Sequence, residues 1–184
     1  NLSLNFPINY TEKDTLDQHV YSAKIDGQTL VITKITHAQN RIPDEKSLRK
    51  SYVDFNQGMM KAMNNAQFLG NDFVFVDHLL SNRATVSFFV RDQEFIVEVL
   101  NTSVKNKTYV FQSIDTGDTA EVYNFDQLIA SIDFNGLSQK DQINISSEGK
   151  SFPEKLGTLF GYMLVLGLVL FFVVKSRKKK SLLD

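Results

Sequence analysis

The chain of 184 residues has no cysteine, and this absence excludes several kinds of chemistry. Without thiols the protein has no disulfide, no thiolate nucleophile and no cysteine-ligated zinc site. Small domains in an oxidising extracellular compartment usually carry disulfides. The absence therefore favours a bacterial periplasmic domain, although glycosylation sequences of the Asn-x-Ser/Thr type are present, at Asn9, Asn101, Asn106 and Asn144.

Histidine is scarce as well, and the familiar catalytic and cofactor-binding motifs are missing. His19, His37 and His78 are not spaced as in H-E-x-x-H or as a close metal-binding pair. The chain has no G-x-S-x-G sequence, no phosphate-binding glycine loop and no dinucleotide fingerprint. We therefore expect no catalytic residue, no cofactor, no metal site and no enzymatic activity.

The sequence Ile114-Asp115-Thr116-Gly117 is the sharpest candidate for catalysis, because it resembles the active-site turn of aspartic proteases. That chemistry needs two carboxylates that share one proton. Too few residues remain before the next polar segment to supply the second half of such a site. A turn between a strand and a helix is the better interpretation, since Asp and Gly suit turn geometry.

One long apolar run lies near the C-terminus. Residues 156–174 contain no ionisable side chain. At a rise of ~1.5 Å per residue this run makes a helix about 29 Å long, which matches the hydrocarbon core of a bilayer. With a capping sequence at Ser151-Phe152-Pro153-Glu154, it predicts a transmembrane helix over residues 151–174. Because the first residue is Asn1, we expect that an export signal has been removed.

A basic tail, residues 175–184, follows the predicted span. By the positive-inside rule this tail lies in the cytoplasm, so the N-terminal domain lies in the periplasm at the inner (plasma) membrane. Residues 1–150 have more acidic than basic side chains, which argues against a nucleic-acid partner. The tail's cations anchor the helix and could also bind anionic lipid; they are Lys175, Arg177, Lys178, Lys179 and Lys180.

Three glycines of the predicted span indicate a helix-packing face. Gly157 and Gly161 form a G-x-x-x-G sequence in its outer half, and Gly167 lies further in. Small residues let helix backbones approach closely within a membrane. We expect these glycines to contact another helix, which belongs either to a second copy or to another subunit.

The residues before the span predict an α+β fold, an antiparallel sheet of six to seven strands flanked by two helices. Residues 19–25 and 29–37 alternate in polarity around Asp26-Gly27, a strong hairpin turn. After a break at 70–72, short connections at Ser81-Asn82, 92–93 and 103–106 join four strands into a meander. A second helix is predicted at 122–131, and the first carries an apolar stripe made of Leu48, Tyr52, Phe55, Met59 and Met63.

These elements give residues 1–134 as one domain and residues 135–150 as a polar linker. The opening of the domain, Phe6-Pro7-Ile8, and its closing segment 125–134 (FDQLIASIDF) resemble the two ends of the fold that PsbP and the Ran-binding Mog family share. The resemblance implies an antiparallel sheet flanked by helices, in proteins that mostly bind and stabilise larger assemblies. It implies no catalytic residues, and the predicted membrane span is a departure from it.

Two functions remain open on the sequence alone. The first is a non-enzymatic, single-pass accessory or assembly subunit of a larger membrane complex, which contacts other membrane protein subunits through its span and outer domain. The second is a membrane-tethered sensor or ligand-binding module with a pocket between helix and sheet. A deep apolar pocket would favour the second function over the first.

Overall fold

A computed structural model describes residues 2–4, 9–15, 18–25, 28–36, 42–63, 65–90, 93–115, 125–143 and 157–162. Its strands form one antiparallel sheet in the order β1-β2-β3-β7-β6-β5-β4. The strands are β1 (Tyr10–Thr15), β2 (Gln18–Ile25), β3 (Gln28–Thr36), β4 (Gln67–Val76), β5 (Leu79–Val90), β6 (Gln93–Val104) and β7 (Lys107–Asp115). The helices are α1 (Glu45–Ala62), α2 (Phe125–Ala130), a 3-10 turn (Gln139–Gln142) and α3 (residues 157–162).

The sheet confirms the predicted α+β class and joins two parts of the chain that are distant in sequence. β1, β2 and β3 form one set, and β4 to β7 form the predicted meander. In the β2–β3 pair Ile25 lies opposite Gln28, as the hairpin prediction requires, and residues 26–27 themselves lie outside the described residues. The two sets meet where β3 pairs with β7 along its whole length.

The meander differs from the prediction at its first turn. The β4–β5 turn lies at Asp77-His78, with φ of 43° and 68°, and not at Ser81-Asn82. Both φ values are positive, as a two-residue hairpin turn requires. The Asp77 carboxylate accepts a hydrogen bond from Phe134 N at 2.6 Å, which holds this turn against the rest of the domain. Residues 70–72 do not break the pattern but lie within β4.

α1 covers one face of the sheet with the predicted apolar stripe. Its N-cap is Asp44, whose side chain accepts a hydrogen bond from Ser47 N at 2.7 Å. Hydrogen bonding to Ser47, first to its side chain and then to its backbone N–H, lowers the pKa of the Asp44 carboxyl. All five predicted stripe residues are buried against the sheet. Burial of this stripe fixes the helix on the sheet, because an apolar side chain gains about 1.5–3 kcal/mol when it is fully buried.

α2 covers the opposite face, where Phe125 and Leu128 are buried. Arg83 of β5 donates to Glu98 of β6 at 2.6 Å and also to Asp126 of α2, and so links this helix to the sheet. The Arg83 guanidinium also lies 5.8 Å from the centroid of the Phe125 ring. α2 leaves the β1–β2–β3 end of this face free for the site described below.

The folded domain does not end at residue 134, and residues 135–143 are not a free linker. The Gln142 side chain is buried between two strands. It donates to Leu80 O at 2.8 Å and to Ser103 O at 3.0 Å, and it accepts from Leu80 N at 2.9 Å. The polar composition of this segment suggested a linker, but its glutamine hydrogen-bonds to backbone groups of β5 and β6. Residues 144–150 lie outside the described residues.

The predicted transmembrane helix lies mostly outside the described residues, which include only 157–162 of it. Within the described ranges, no helix is both long and apolar enough to cross a membrane. The tail cations Lys175, Arg177, Lys178, Lys179 and Lys180, together with Gly167, also lie outside those ranges.

Candidate functional site

A cleft of about 730 Å³ opens on the α2 face, at the end of the sheet where β1, β2, β3 and β7 lie side by side. We call it the lysine cleft. Its apolar and aromatic lining consists of Leu2, Leu4, Tyr10, Tyr21, Ile32, Val104, Tyr109 and Leu137. Its polar lining consists of Lys34, Lys105, Asn106 and Lys107.

Strand register places the floor and the cations of the lysine cleft on one face of the sheet. Ile32 and Lys34 lie two residues apart on β3, and so do Lys107 and Tyr109 on β7. Residues two apart on a strand point to the same face. Lys34 lies directly opposite Tyr109 in the β3–β7 pair. The two lysines therefore lie on neighbouring strands beside a shared aromatic ring.

The N-terminal segment and the loop after α2 form the wall of the cleft. Ser3 N donates to Asp133 O and Asp133 N donates to Ser3 O, each at 2.9 Å. This two-bond bridge holds the residues on either side of Ser3, Leu2 and Leu4, at the cleft. Leu137 joins them after Gly136, whose φ of 75° glycine adopts without strain.

The charge of the cleft is positive. None of the described residues that line it is acidic. Lys105 pairs with Asp141 at 3.4 Å, whereas no carboxylate among the described residues lies within ion-pair distance of Lys34 or Lys107. The pKa of Asp141 is lowered, first by a hydrogen bond from Ser138 N and also by Lys105. Two of the three lysines are thus available to a ligand.

Carboxylates do lie beside the cleft, on β1. Glu12 lies opposite Tyr21, and Asp14 pairs with His19 at 2.8 Å. Burial, and then Glu12, raises the pKa of Tyr21, and burial raises the pKa of Tyr109. Both phenols keep their protons at neutral pH, and the Tyr21 hydroxyl donates its hydrogen bond to the Glu12 carboxylate. The charge that the cleft presents therefore comes from its lysines.

The sequence analysis did not identify these lysines, and it singled out other residues. Asp115 is the exposed last residue of β7, at the opposite end of that strand from Lys107. His78 lies in the exposed β4–β5 turn, and His37 lies outside the described residues. Among the residues that the structure describes, no three His, Asp or Glu side chains cluster as a metal site would need. Only the β3–β7 pairing, which sequence alone does not reveal, brings Lys34 to Lys107.

The predicted glycine face does make close helix contacts, and within the described residues these are with α1. A Cβ added to Gly157 would lie 1.8 Å from Phe55 O, and one added to Gly161 would lie 2.6 Å from Ala62 Cβ. Between the two glycines, Phe160 is buried with its ring 5.9 Å from that of Phe55. Contact of these glycines with a second copy or another subunit stays a prediction.

A second surface lies at β4, an edge strand that pairs only with β5 in the sheet. Phe75 is 62% exposed and Leu69 is 58% exposed. Phe73 lies beneath the guanidinium of Arg49, 4.6 Å from its ring centroid. An edge strand offers unpaired backbone N–H and C=O groups to another chain. Among the described strands, β4 therefore presents both apolar side chains and an open strand edge.

No protein-family model and no curated protein matches this chain. A crystal structure from Bacteroides thetaiotaomicron is similar to it, at 12% identity and a TM-score of 0.46 over 72% of this chain. The match covers 44% of the Bacteroides chain, so this chain spans less than half of its length. LpqN, which is involved in cell envelope biogenesis of Mycobacterium tuberculosis, matches at 14% identity and a TM-score of 0.41, over 71% of this chain and 76% of LpqN. The resemblance to PsbP and the Mog family stays a prediction.

Proposed function

We propose that this chain is a membrane-tethered, non-enzymatic ligand-binding module of the periplasm, and that the lysine cleft is its ligand site. The observation that carries the proposal is the cleft itself, about 730 Å³ in volume, with an apolar floor and with Lys34 and Lys107, which have no carboxylate partner among the described residues. Ligand sites in proteins typically have volumes of about 300–1,000 Å³, mostly apolar walls and a few placed polar groups.

The chemistry of the lining supports binding rather than catalysis. In the part of the chain that the structure describes, its members include neither a carboxylate nor a histidine, the side chains that most often act as general acids and bases. Lys34 and Lys107 lie on regular strands, which hold binding groups more rigidly than loops do. The tether rests on the apolar run 156–174 and the cations that follow it.

The absence of tryptophan from the chain allows a direct test of ligand binding. Leu137→Trp places one fluorophore in the cleft wall, and Leu159→Trp places one on the exposed side of α3. The probe is 8-anilinonaphthalene-1-sulfonate, titrated against the full chain in phosphatidylcholine nanodiscs. We expect saturable energy transfer from the Leu137→Trp variant and only weak, non-saturating transfer from the Leu159→Trp variant. Equal transfer in both variants would contradict a ligand site in the cleft.

A second candidate function is the accessory or assembly subunit, and the exposed β4 edge favours it. A partner strand added to β4 would pair its backbone and cover Phe75 and Leu69. The test compares proteins that co-purify with tagged full chain in mild detergent. Phe75→Lys should remove a stoichiometric partner, whereas Ile96→Lys, also at an exposed apolar side chain but on β6, should retain it. Identical co-purification with both variants, or no partner at all, would exclude β4 as a docking edge.

A further inference from the structure

We infer that the lysine cleft binds a single-chain amphiphile with an anionic head, a carboxylate or a phosphate; this inference rests on the proposed function. The head lies between Lys34 and Lys107, and the tail lies on the apolar floor. Each half of this ligand follows from a separate set of contacts.

The position of the head follows from the β3–β7 register. Lys34 lies opposite Tyr109, and Lys107 is two residues from Tyr109 on the same face. The two lysines are thus diagonal neighbours, a relation in which the residues lie about 7–8 Å apart. Long lysine side chains at that separation can both donate to one anion. Tyr109, directly opposite Lys34 and two residues from Lys107, lies beside both lysines on the same face of the sheet.

The position of the tail follows from the rest of the lining. Ile32 and Tyr109 form the floor, and Leu2, Leu4 and Leu137 form the wall. A free inorganic anion would leave this apolar surface in contact with water and would gain nothing from it. An alkyl chain gains about 0.8 kcal/mol for each methylene that it buries there. The apolar surface thus selects a ligand with a tail.

The sign of the head group follows from the charges around it. Lys105 already has Asp141 as a partner, but Lys34 and Lys107 have no carboxylate partner among the described residues. Among the described residues, the lining has no acidic side chain that could bind the ammonium of a zwitterionic head. Glu12 and Asp14 lie on β1 and do not line the cleft, and Asp14 is already paired with His19.

The experiment measures binding of four probes to the full-length Leu137→Trp variant in phosphatidylcholine nanodiscs: octyl phosphate, octanoate, octanol and inorganic phosphate. Leu159→Trp corrects for probe that partitions into the bilayer. Both anionic amphiphiles should bind about tenfold more tightly than octanol, because charge-assisted hydrogen bonds add to burial of the same tail. Inorganic phosphate alone should not compete at equal concentration.

Charge variants locate the head group. Lys34→Gln and Lys107→Gln should each weaken octyl phosphate binding about tenfold and leave octanol binding unchanged. Lys34→Arg should retain most of the affinity, and Lys140→Gln, an exposed lysine that does not line the cleft, should have no effect. Far-UV circular dichroism melts establish that each variant is folded.

Each contrary result has a distinct meaning. If octanol bound as tightly as octyl phosphate, the anionic head would be refuted while the cleft would remain a ligand site. If inorganic phosphate competed as well as octyl phosphate, the cleft would bind free phosphate and the tail would be irrelevant. If no probe bound saturably, both this inference and the proposed function would be overturned.

Discussion

Gly157→Ala should release α3 from α1, although it adds only one methyl group. The new Cβ would lie 1.8 Å from Phe55 O and 2.9 Å from Met59 N. Both are backbone atoms within a regular helix, so neither can move aside as a side-chain end could. The two helices must therefore separate by more than an ångström or come apart.

The size of the effect follows from the side chain that the release exposes. Phe160 is only 4% exposed and packs on Phe55, and full burial of a phenylalanine contributes about 1.5–3 kcal/mol. The substitution also stabilises the α3 helix itself by up to about 1 kcal/mol, because alanine has a higher helix propensity than glycine. We expect the docked state of α3 to lose about 1–2 kcal/mol, which is roughly a tenfold change in its population.

The assay uses the absence of cysteine from the chain. Ala62→Cys places one thiol on α1 where Gly161 of α3 lies against it. In the full chain, adding Gly157→Ala should raise the rate of thiol labelling about tenfold, because labelling follows the population of the open state. Leu159→Ala is the control, since Leu159 is 47% exposed and makes no such close approach. Unchanged labelling in the Gly157→Ala variant would refute the close docking of α3.

Three further outcomes are expected. Tyr52→Phe should lower the free energy of unfolding by about 1–3 kcal/mol, because it leaves the partly buried Ser103 N without the phenol oxygen that accepts its hydrogen bond at 2.9 Å. Chemical denaturation measures this change, and Tyr162→Phe at an exposed site should change nothing. Asp44→Ala should lower the thermal midpoint at pH 7 but much less at pH 2. Folding lowers the pKa of the Asp44 carboxyl, so its contribution to stability is present above the pKa of the unfolded state and is lost as the pH falls through the pKa of the folded state. Equal losses of thermal midpoint at both pH values would contradict the role of Asp44 as the helix cap. Asp115→Asn should leave probe binding unchanged, because eight residues of β7 at ~3.3 Å each put it about 26 Å from Lys107.

Sequence patterns predicted the elements whose determinants are local. The α1 stripe repeats at helical spacing, and Leu48, Tyr52 and Phe55 are buried as that spacing requires. The β2–β3 hairpin follows from a turn dipeptide between two alternating segments. Neither prediction depended on knowing which distant part of the chain these elements contact.

The β4–β5 turn could not be predicted because tertiary contacts override local preference there. Ser81-Asn82 is a better turn sequence than Asp77-His78. Asn82 is nevertheless buried, where its side chain accepts from Asn56 Nδ2 at 2.6 Å and donates to Asn71 Oδ1 at 2.9 Å. These partners lie on a helix and on a neighbouring strand, so no local sequence pattern predicts the contacts.

The lysine cleft could not be predicted from the sequence for a related reason. Lys34 and Lys107 belong to distant parts of the chain, and each alone is an ordinary polar residue on an alternating strand. Their common site exists because β3 pairs with β7, a contact of long sequence separation. Leu2 and Leu137 reach the same place through the bridge between Ser3 and Asp133.

Mass spectrometry of the small molecules that co-purify with the full chain tests the central claim most directly. The tagged protein is isolated from the membranes of the cells that express it, with no amphiphile added beyond one mild non-ionic detergent. The wild type should carry an anionic single-chain amphiphile at close to one per chain, and the Lys34→Gln, Lys107→Gln double variant should carry almost none. The same molecules in the same amounts in both proteins would contradict a ligand site at these lysines.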